Sequence, residues 1–99
     1  MDYRNVANSI IADYEIGNLC IDYANSEITI VLKSPQGIPD VLCLSNFEKV
    51  TVTRAEPWGA GKYVAGSGLH YCEGRIIVEI ELNSGDQIRI AMKNDEAKR

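Results

Sequence analysis

The sequence predicts a mainly β protein: a single antiparallel β-sandwich (or small barrel) of about eight short strands with one short N-terminal helix. Three observations carry this. The apolar set is β-branched, with 12 Ile and 7 Val against 6 Leu, and stiff β-branched side chains favour strands over helices. Apolar and polar residues alternate with a period of two in several stretches, most clearly EITIVLK, RIIVEIEL and QIRIAMK, as half-buried strands require. Clusters of Gly, Pro, Asn and Ser separate these stretches at intervals of roughly 8–12 residues, the rhythm of strand–turn–strand folds. The 99 residues suffice for one domain, because a chain this size buries about 60–65 % of its unfolded surface around one thin core. Residues 1–8 and the polar tail 94–99 are expected at its periphery.

From the N-terminus, Tyr3, Val6, Ala7 and Ile10 fall at i, i+3, i+4 and i+7 on one helical face, with Asp2 placed to cap it. SIIADYE and NLCIDYA are expected as the first two strands, turning at Ile16-Gly17-Asn18. Asn25-Ser26 then turns the chain into EITIVLK, where Ile28, Ile30 and Leu32 share one face. Ser34 to Pro39 reads as a loop, since Pro lacks the ladder N–H and Gly accepts positive φ. DVLCLS and FEKVTVTR follow, broken near Ser45-Asn46, and AEPWGAG is a second loop. KYVAGSGLHYC is a strand bulged at Gly66-Ser67-Gly68. The last two strands form a hairpin about Asn83-Ser84-Gly85-Asp86, with Ile76, Val78, Ile80, Ile88, Ile90 and Met92 inward. Glu79 and Glu81 then face the basic outer row of Arg89 and Lys93, a favourable cross-strand arrangement.

Fourteen acidic residues against 10 basic ones give a net charge of −4. Such a chain has no electrostatic grip on phosphate backbones, which argues against nucleic-acid binding and for a basic partner. Apolar runs reach only three or four residues, far below the roughly 20 that span a bilayer, so no membrane association is expected. The opening MDYRNVANSI has neither the basic nor the apolar part of a secretory signal. Three Cys without a CxxC pair suit a reducing compartment. The expectation is a cytoplasmic protein, a monomer or weak dimer.

The chemistry-bearing residues are few. His70, the sole histidine, lies two positions from Cys72, so both project from one strand face. With Cys20 and Cys43 they match the inventory of a three-Cys, one-His zinc set but lack its short ligand pairs, and the cysteines read instead as small buried hydrophobes. A Cys–His nucleophile pair lacks an orienting third group in the sequence nearby. Asp13 with Glu15, and Glu79 with Glu81, each sit about 7 Å apart on a strand face, which suits acid–base work and equally any solvent-facing row. Trp58, the sole tryptophan, stands in a Pro-Trp-Gly turn, either as an interface anchor or folded back to close one end of the core. Asp13, Glu15 and Asp22 cluster in the first hairpin, and if that hairpin neighbours the strand of Glu79 and Glu81, one sheet carries a negative field.

Several features recur together. A short N-terminal segment leads into a first hairpin, and a later strand ends in Leu44-Ser45-Asn46-Phe47-Glu48. The Pro57-Trp58-Gly59 turn follows, and the hairpin RIIVEIELNSGDQIRIAMK closes the pattern. Over roughly residues 9–93 the chain resembles the small β-rich immunity proteins of bacterial polymorphic-toxin and contact-dependent growth-inhibition systems. The resemblance implies a protein that binds a cognate toxin domain, such as a basic nuclease, and neutralises it by occluding the active site. It implies no catalytic residue, no cofactor and no metal. The contact residues would come from Asp13, Glu15, Asp22, Glu56, Trp58, Glu79 and Glu81. Two other readings compete: an oligomeric or structural β-module using an apolar outer row of the Val31 and Ile77 type, and a small metal- or Cys-based enzyme using His70 and Cys72.

Overall fold

Alternation in the sequence becomes alternation in space. In the computed structural model, which describes residues 1–94, the chain forms a 3-10 segment and seven strands. The 3-10 segment is Tyr3–Ser9, and the strands are β1 Glu15–Asp22, β2 Glu27–Lys33, β3 Pro39–Ser45, β4 Phe47–Val52, β5 Val64–Cys72, β6 Arg75–Leu82 and β7 Gln87–Lys93. They pair antiparallel into two sheets, a first of order β1-β2-β3 and a second of order β4-β7-β6-β5. The inward rows pack together: Ile28, Ile30 and Leu32 of β2 and Leu42 and Leu44 of β3 meet Val78, Ile80 and Ile90 of the second sheet, all essentially without exposed surface. Each such side chain contributes about 1.5–3 kcal/mol relative to leaving it in water.

The two sheets are joined at corners and do not close into a barrel. Asn46, at φ 58°, is the one residue between β3 and β4, and there the chain leaves the first sheet for the second. Sheet-switching bends of this kind make the corners of sandwiches. At another corner the start of β1 meets the start of β5, through a bridge between Glu15 and Tyr63 and hydrogen bonds from the Ile16 amide to the Lys62 carbonyl (2.7 Å) and from the Val64 amide to the Tyr14 carbonyl (2.8 Å).

Several expectations change. Among the described residues there are seven strands, in line with the about eight expected, and the one expected strand that does not form is SIIADYE: residues 10–13 turn, and Asp13 sits at φ 68°. Gly17-Asn18, expected as the tip of a hairpin, is a bulge inside β1, where the register shifts between Ile16 and Leu19. A turn and a bulge draw on the same residue types, and here both flanks of Gly17-Asn18 pair with the one strand β2, Ile16 with Leu32 and Leu19 with Ile30. The helix is short, tight and interrupted: Asp2 caps it by accepting from the Arg4 amide, Asn5 completes a capping box, and Ala7 and Asn8 leave helical geometry. Its inward residue is Val6, followed by Ile11 beyond the segment, while Ile10 is exposed. Residues 1–8, expected at the periphery, therefore supply part of the core. Met1 also pairs with β3, accepting from the Cys43 amide at 3.0 Å. Of the polar tail, residues 95–99 lie outside the described residues. Among the described residues no helix is long and apolar enough to cross a membrane.

Candidate functional site

The loop from Thr53 to Tyr63 crosses the end of the second sheet between β4 and β5, and a buried carboxylate shapes it. Asp86, only 2 % exposed, lies in the β6–β7 turn. Its Oδ1 accepts from the Ala55 amide (2.7 Å) and Thr53 Oγ1 (3.1 Å), and its Oδ2 from Ser84 Oγ (2.8 Å) and the Glu56 amide (3.0 Å). Burial of the carboxylate works to raise its pKa, but the bonds from Ser84, Ala55, Glu56 and Thr53 outweigh it, so the group titrates below its ordinary 3.8. A charged acceptor answered by this many donors fixes the loop's first turn. Further along, the Trp58 amide donates to the Ser84 carbonyl (3.0 Å) and the Asn83 amide to the Tyr63 carbonyl (2.9 Å), so the loop is stitched to the hairpin turn at both ends.

Gly85 is the seat on which the tryptophan rests. It adopts φ 88°, and a Cβ there would lie 2.7 Å from Pro57 Cγ and 3.0 Å from the Trp58 ring. Only glycine satisfies both the backbone and the contact. Trp58 thus has one face supported while 72 % of the residue remains exposed. Of the two alternatives in the sequence, the ring folded back into the core is excluded.

The same loop walls an apolar groove of about 660 Å³. Ile16, Leu19, Val52, Leu82 and Ile88 supply its apolar lining, and Arg54, Glu56, Lys62 and Tyr63 its polar rim. The rim charges are paired locally, Arg54 with Glu56 at 3.5 Å and Lys62 with Glu15 at 3.4 Å. Mixed apolar floor, paired rim charges and a supported, exposed tryptophan are features of protein contact surfaces.

The seven candidate contact residues separate into groups. Glu56 lines the groove, Glu15 reaches its rim through Lys62, and Trp58 stands on the same loop with its ring against Gly85; Asp13 is exposed, its amide bound to the Val64 carbonyl (2.8 Å). Asp22 lies at the far end of β1 and serves its own turn. Its Oδ2 accepts from Asn25 Nδ2 (2.9 Å) and its Oδ1 from the Asn25 amide (3.2 Å), bonds that lower its pKa below 3.8. Glu79 and Glu81 occupy the outer face of the second sheet, across from Arg89 and Gln87. A single negative field is therefore not formed: β1 and β6 belong to different sheets, and Glu79 Oε1 meets His70 Nε2 at 3.0 Å and Arg89 Nε at 3.6 Å.

The cysteines are also placed otherwise than expected, all three being exposed. Cys20 and Cys43 flank Thr29 on the outer face of the first sheet, and Cys72 faces outward on the second, opposite Arg75. Among the described residues no group of three or more His, Cys, Asp or Glu is arranged to hold a metal ion. The residue that sequence reading missed is Asp86, whose only sequence signal is its place after Ser84-Gly85 in a turn; its donors Thr53, Ala55 and Glu56 lie some thirty positions earlier. Comparison with family models, with curated proteins and with solved structures returns no match to this chain. What can be said of its class is architectural: a small antiparallel two-sheet β-protein with a braced loop beside an apolar groove.

Proposed function

We propose that this chain is an immunity protein, a stoichiometric inhibitor that binds a cognate toxin domain in the cytoplasm and occludes its active site without turning over a substrate. The observation that carries the proposal is Trp58, exposed yet held in place by Gly85 and by the Asp86-braced loop. An aromatic anchor already fixed in its binding position loses little entropy on association, and such anchors dominate binding energies. Glu15, Glu56 and the apolar groove walled by the same loop would supply further contacts. The net charge of −4 favours encounter with a cationic partner such as a nuclease, whose substrate cleft is basic. The resemblance over roughly residues 9–93 agrees with this class.

The test is co-purification with the product of the neighbouring gene, followed by rescue of cells expressing that product. A complex of one-to-one stoichiometry is expected, and Trp58, the sole tryptophan of this chain, gives a fluorescence signal for its formation. Trp58→Ala should weaken the complex by about 30-fold or more, the size of a hot-spot loss of about 2 kcal/mol, while leaving the melting temperature within about 2 °C. Absence of both complex and rescue overturns the proposal.

A further inference from the structure

The outer faces of the two sheets differ in kind. On the second sheet every outward row of β6 and β7 includes a charge: Arg75–Lys93, Ile77–Ala91 with Lys49 of β4, Glu79–Arg89, and Glu81–Gln87. On the first sheet the two middle outward rows carry no charge. One is Cys20, Thr29 and Cys43, and the next is Val31 and Val41, each 39 % exposed. Gly17 lies beside Val31, and a Cβ there would stand 3.7 Å from Val31 Cγ1, so the glycine leaves that side of the valine bare. The inner faces of the same strands are core, with Ile28, Ile30, Leu32, Leu42 and Leu44 fully buried. A sheet whose middle rows are free of charge on both faces, read in sequence as the near-continuous runs ITIVL and VLCL, has the pattern of a sheet covered on both sides at its centre.

We propose that a second copy of this chain covers the outer face of the first sheet, forming a two-fold dimer. The charges at the ends of the patch select the occupant and its orientation. The central strand β2 begins at Glu27 and ends at Lys33, both outward and exposed, and the rows they head are Asp22–Glu27–Ser45 and Glu15–Lys33–Pro39. A two-fold interface must be self-complementary, so that residue i meets j and j meets i. With the axis across the strands, β2 lies antiparallel over its copy: each Glu27 stands over a Lys33, and Val31 and Val41 stand over Thr29 and Cys43. With the axis along the strands, Glu27 stands over Glu27 and Lys33 over Lys33, and like charges oppose. The first arrangement places two Glu27–Lys33 ion pairs at the rim of an uncharged centre, at the roughly 10 Å spacing of stacked sheets; it also sets each Asp22 over a Glu15, whose charge Lys62 of its own copy answers at 3.4 Å. The inference does not rest on the toxin reading: it uses neither Trp58 nor the groove's apolar floor, although Gly17 borders both surfaces and Glu15 belongs to that reading's contact set.

Sedimentation equilibrium over a wide concentration range tests it, and the expected result is a reversible dimer. Val31→Lys should weaken the dimer by about 100-fold or more, since both copies carry the buried charge, with circular dichroism unchanged and the melting temperature unchanged at concentrations where both proteins are monomers. Lys33→Glu should weaken it by about tenfold, and adding Glu27→Lys to that variant should restore the wild-type value. Thiol labelling gives a second measurement that needs no variant: Cys20 and Cys43 should become protected as the concentration rises, while Cys72 on the other sheet reacts alike throughout. A monomer at every concentration overturns the proposal. So does a dimer indifferent to Val31→Lys and to the charge swap. A monomer whose toxin complex is abolished by Val31→Lys overturns it as well, and assigns the face to the toxin.

Discussion

Two chain segments close the margins of this sandwich, and they do so by opposite means. The N-terminal segment runs from β3 to β5, from the Met1 pairing with Cys43 to the bond from Ser67 Oγ to the Val6 carbonyl (2.7 Å), and inserts Val6 and Ile11 fully into the core. The Thr53–Tyr63 loop places no fully buried apolar side chain of its own before Val64, and it is held instead by the carboxylate of Asp86. The burial of Val6 and Ile11 draws on water exclusion and is indifferent to protonation, while hydrogen bonds, the Met1 ammonium to the Val41 carbonyl among them, tie the ends of the segment. A closure built on one carboxylate is directional, fixes particular amides, and depends on pH. The directional closure occurs where Trp58 has to be held still, and the apolar one where nothing has to be displayed.

The largest effect should come from the apolar side. Ile11→Ala removes a side chain with no exposed surface and leaves a cavity among packed neighbours. The cost should be about 2–5 kcal/mol, a fall in melting temperature on the order of 10–20 °C for a domain of this size. The loss should be the same at pH 7 and pH 5, because no titrating group is involved. Denaturant unfolding at both pH values measures this, and a loss that varied with pH would erase the contrast between the two closures.

Asp86→Asn should lower the melting temperature less, by about 5–10 °C, and should do so locally. The amide side chain keeps the shape but offers one acceptor where the carboxylate offered two. Because the folded carboxyl titrates below 3.8, its contribution is complete above that ordinary value and disappears as the pH falls through the lower, folded one. In the wild-type protein Trp58 emission should therefore shift on acidification below about pH 4, ahead of or together with unfolding. In Asp86→Asn the emission at pH 7 should already be shifted, and the acid step should be diminished. An unaltered acid step in the variant would show that some other group holds the loop.

What the sequence made legible follows the same division. The facing of β2, β6 and β7 was readable because a period of two needs only neighbouring residues, and Ile28, Ile90 and Met92 point inward as their alternation requires. Sheet membership was not readable. Nothing local distinguishes a β1 beside β6 from a β1 in the other sheet, so Glu15 and Glu79 were grouped by charge and are separated by topology. Alternation also fails where both faces are apolar: within LCI and VLCL the thiols of Cys20 and Cys43 cannot be told from core residues, and they face outward. Val31, outward by parity in EITIVLK, is outward. At the candidate site, Trp58 and Glu56 were visible as a stiff, polar turn, but Asp86 looked like any turn aspartate. Its role depends on amides brought to it by the fold, which leave no pattern around residue 86 itself.

The smallest effect should be on the outer face of the second sheet, and it bounds the comparison from below. Glu79 is the most heavily contacted carboxylate there, with His70 and Arg89 sharing its Oε1, yet the side chains of all three are exposed. Exposed ion pairs are weakened by solvent and salt and by the entropy of holding long side chains together, so Glu79→Gln should change stability by no more than about 0.5 kcal/mol. Thermal melts at low and high salt should differ little between variant and wild type. Asp86 and Glu79 are both carboxylates with several partners; what separates them is water. Around Asp86 solvent is excluded and each lost donor leaves an unsatisfied group, whereas around Glu79 solvent replaces whatever the substitution removes. A loss from Glu79→Gln as large as that from Asp86→Asn would mean that the number of contacts, and not burial, sets the strength of a polar closure in this fold.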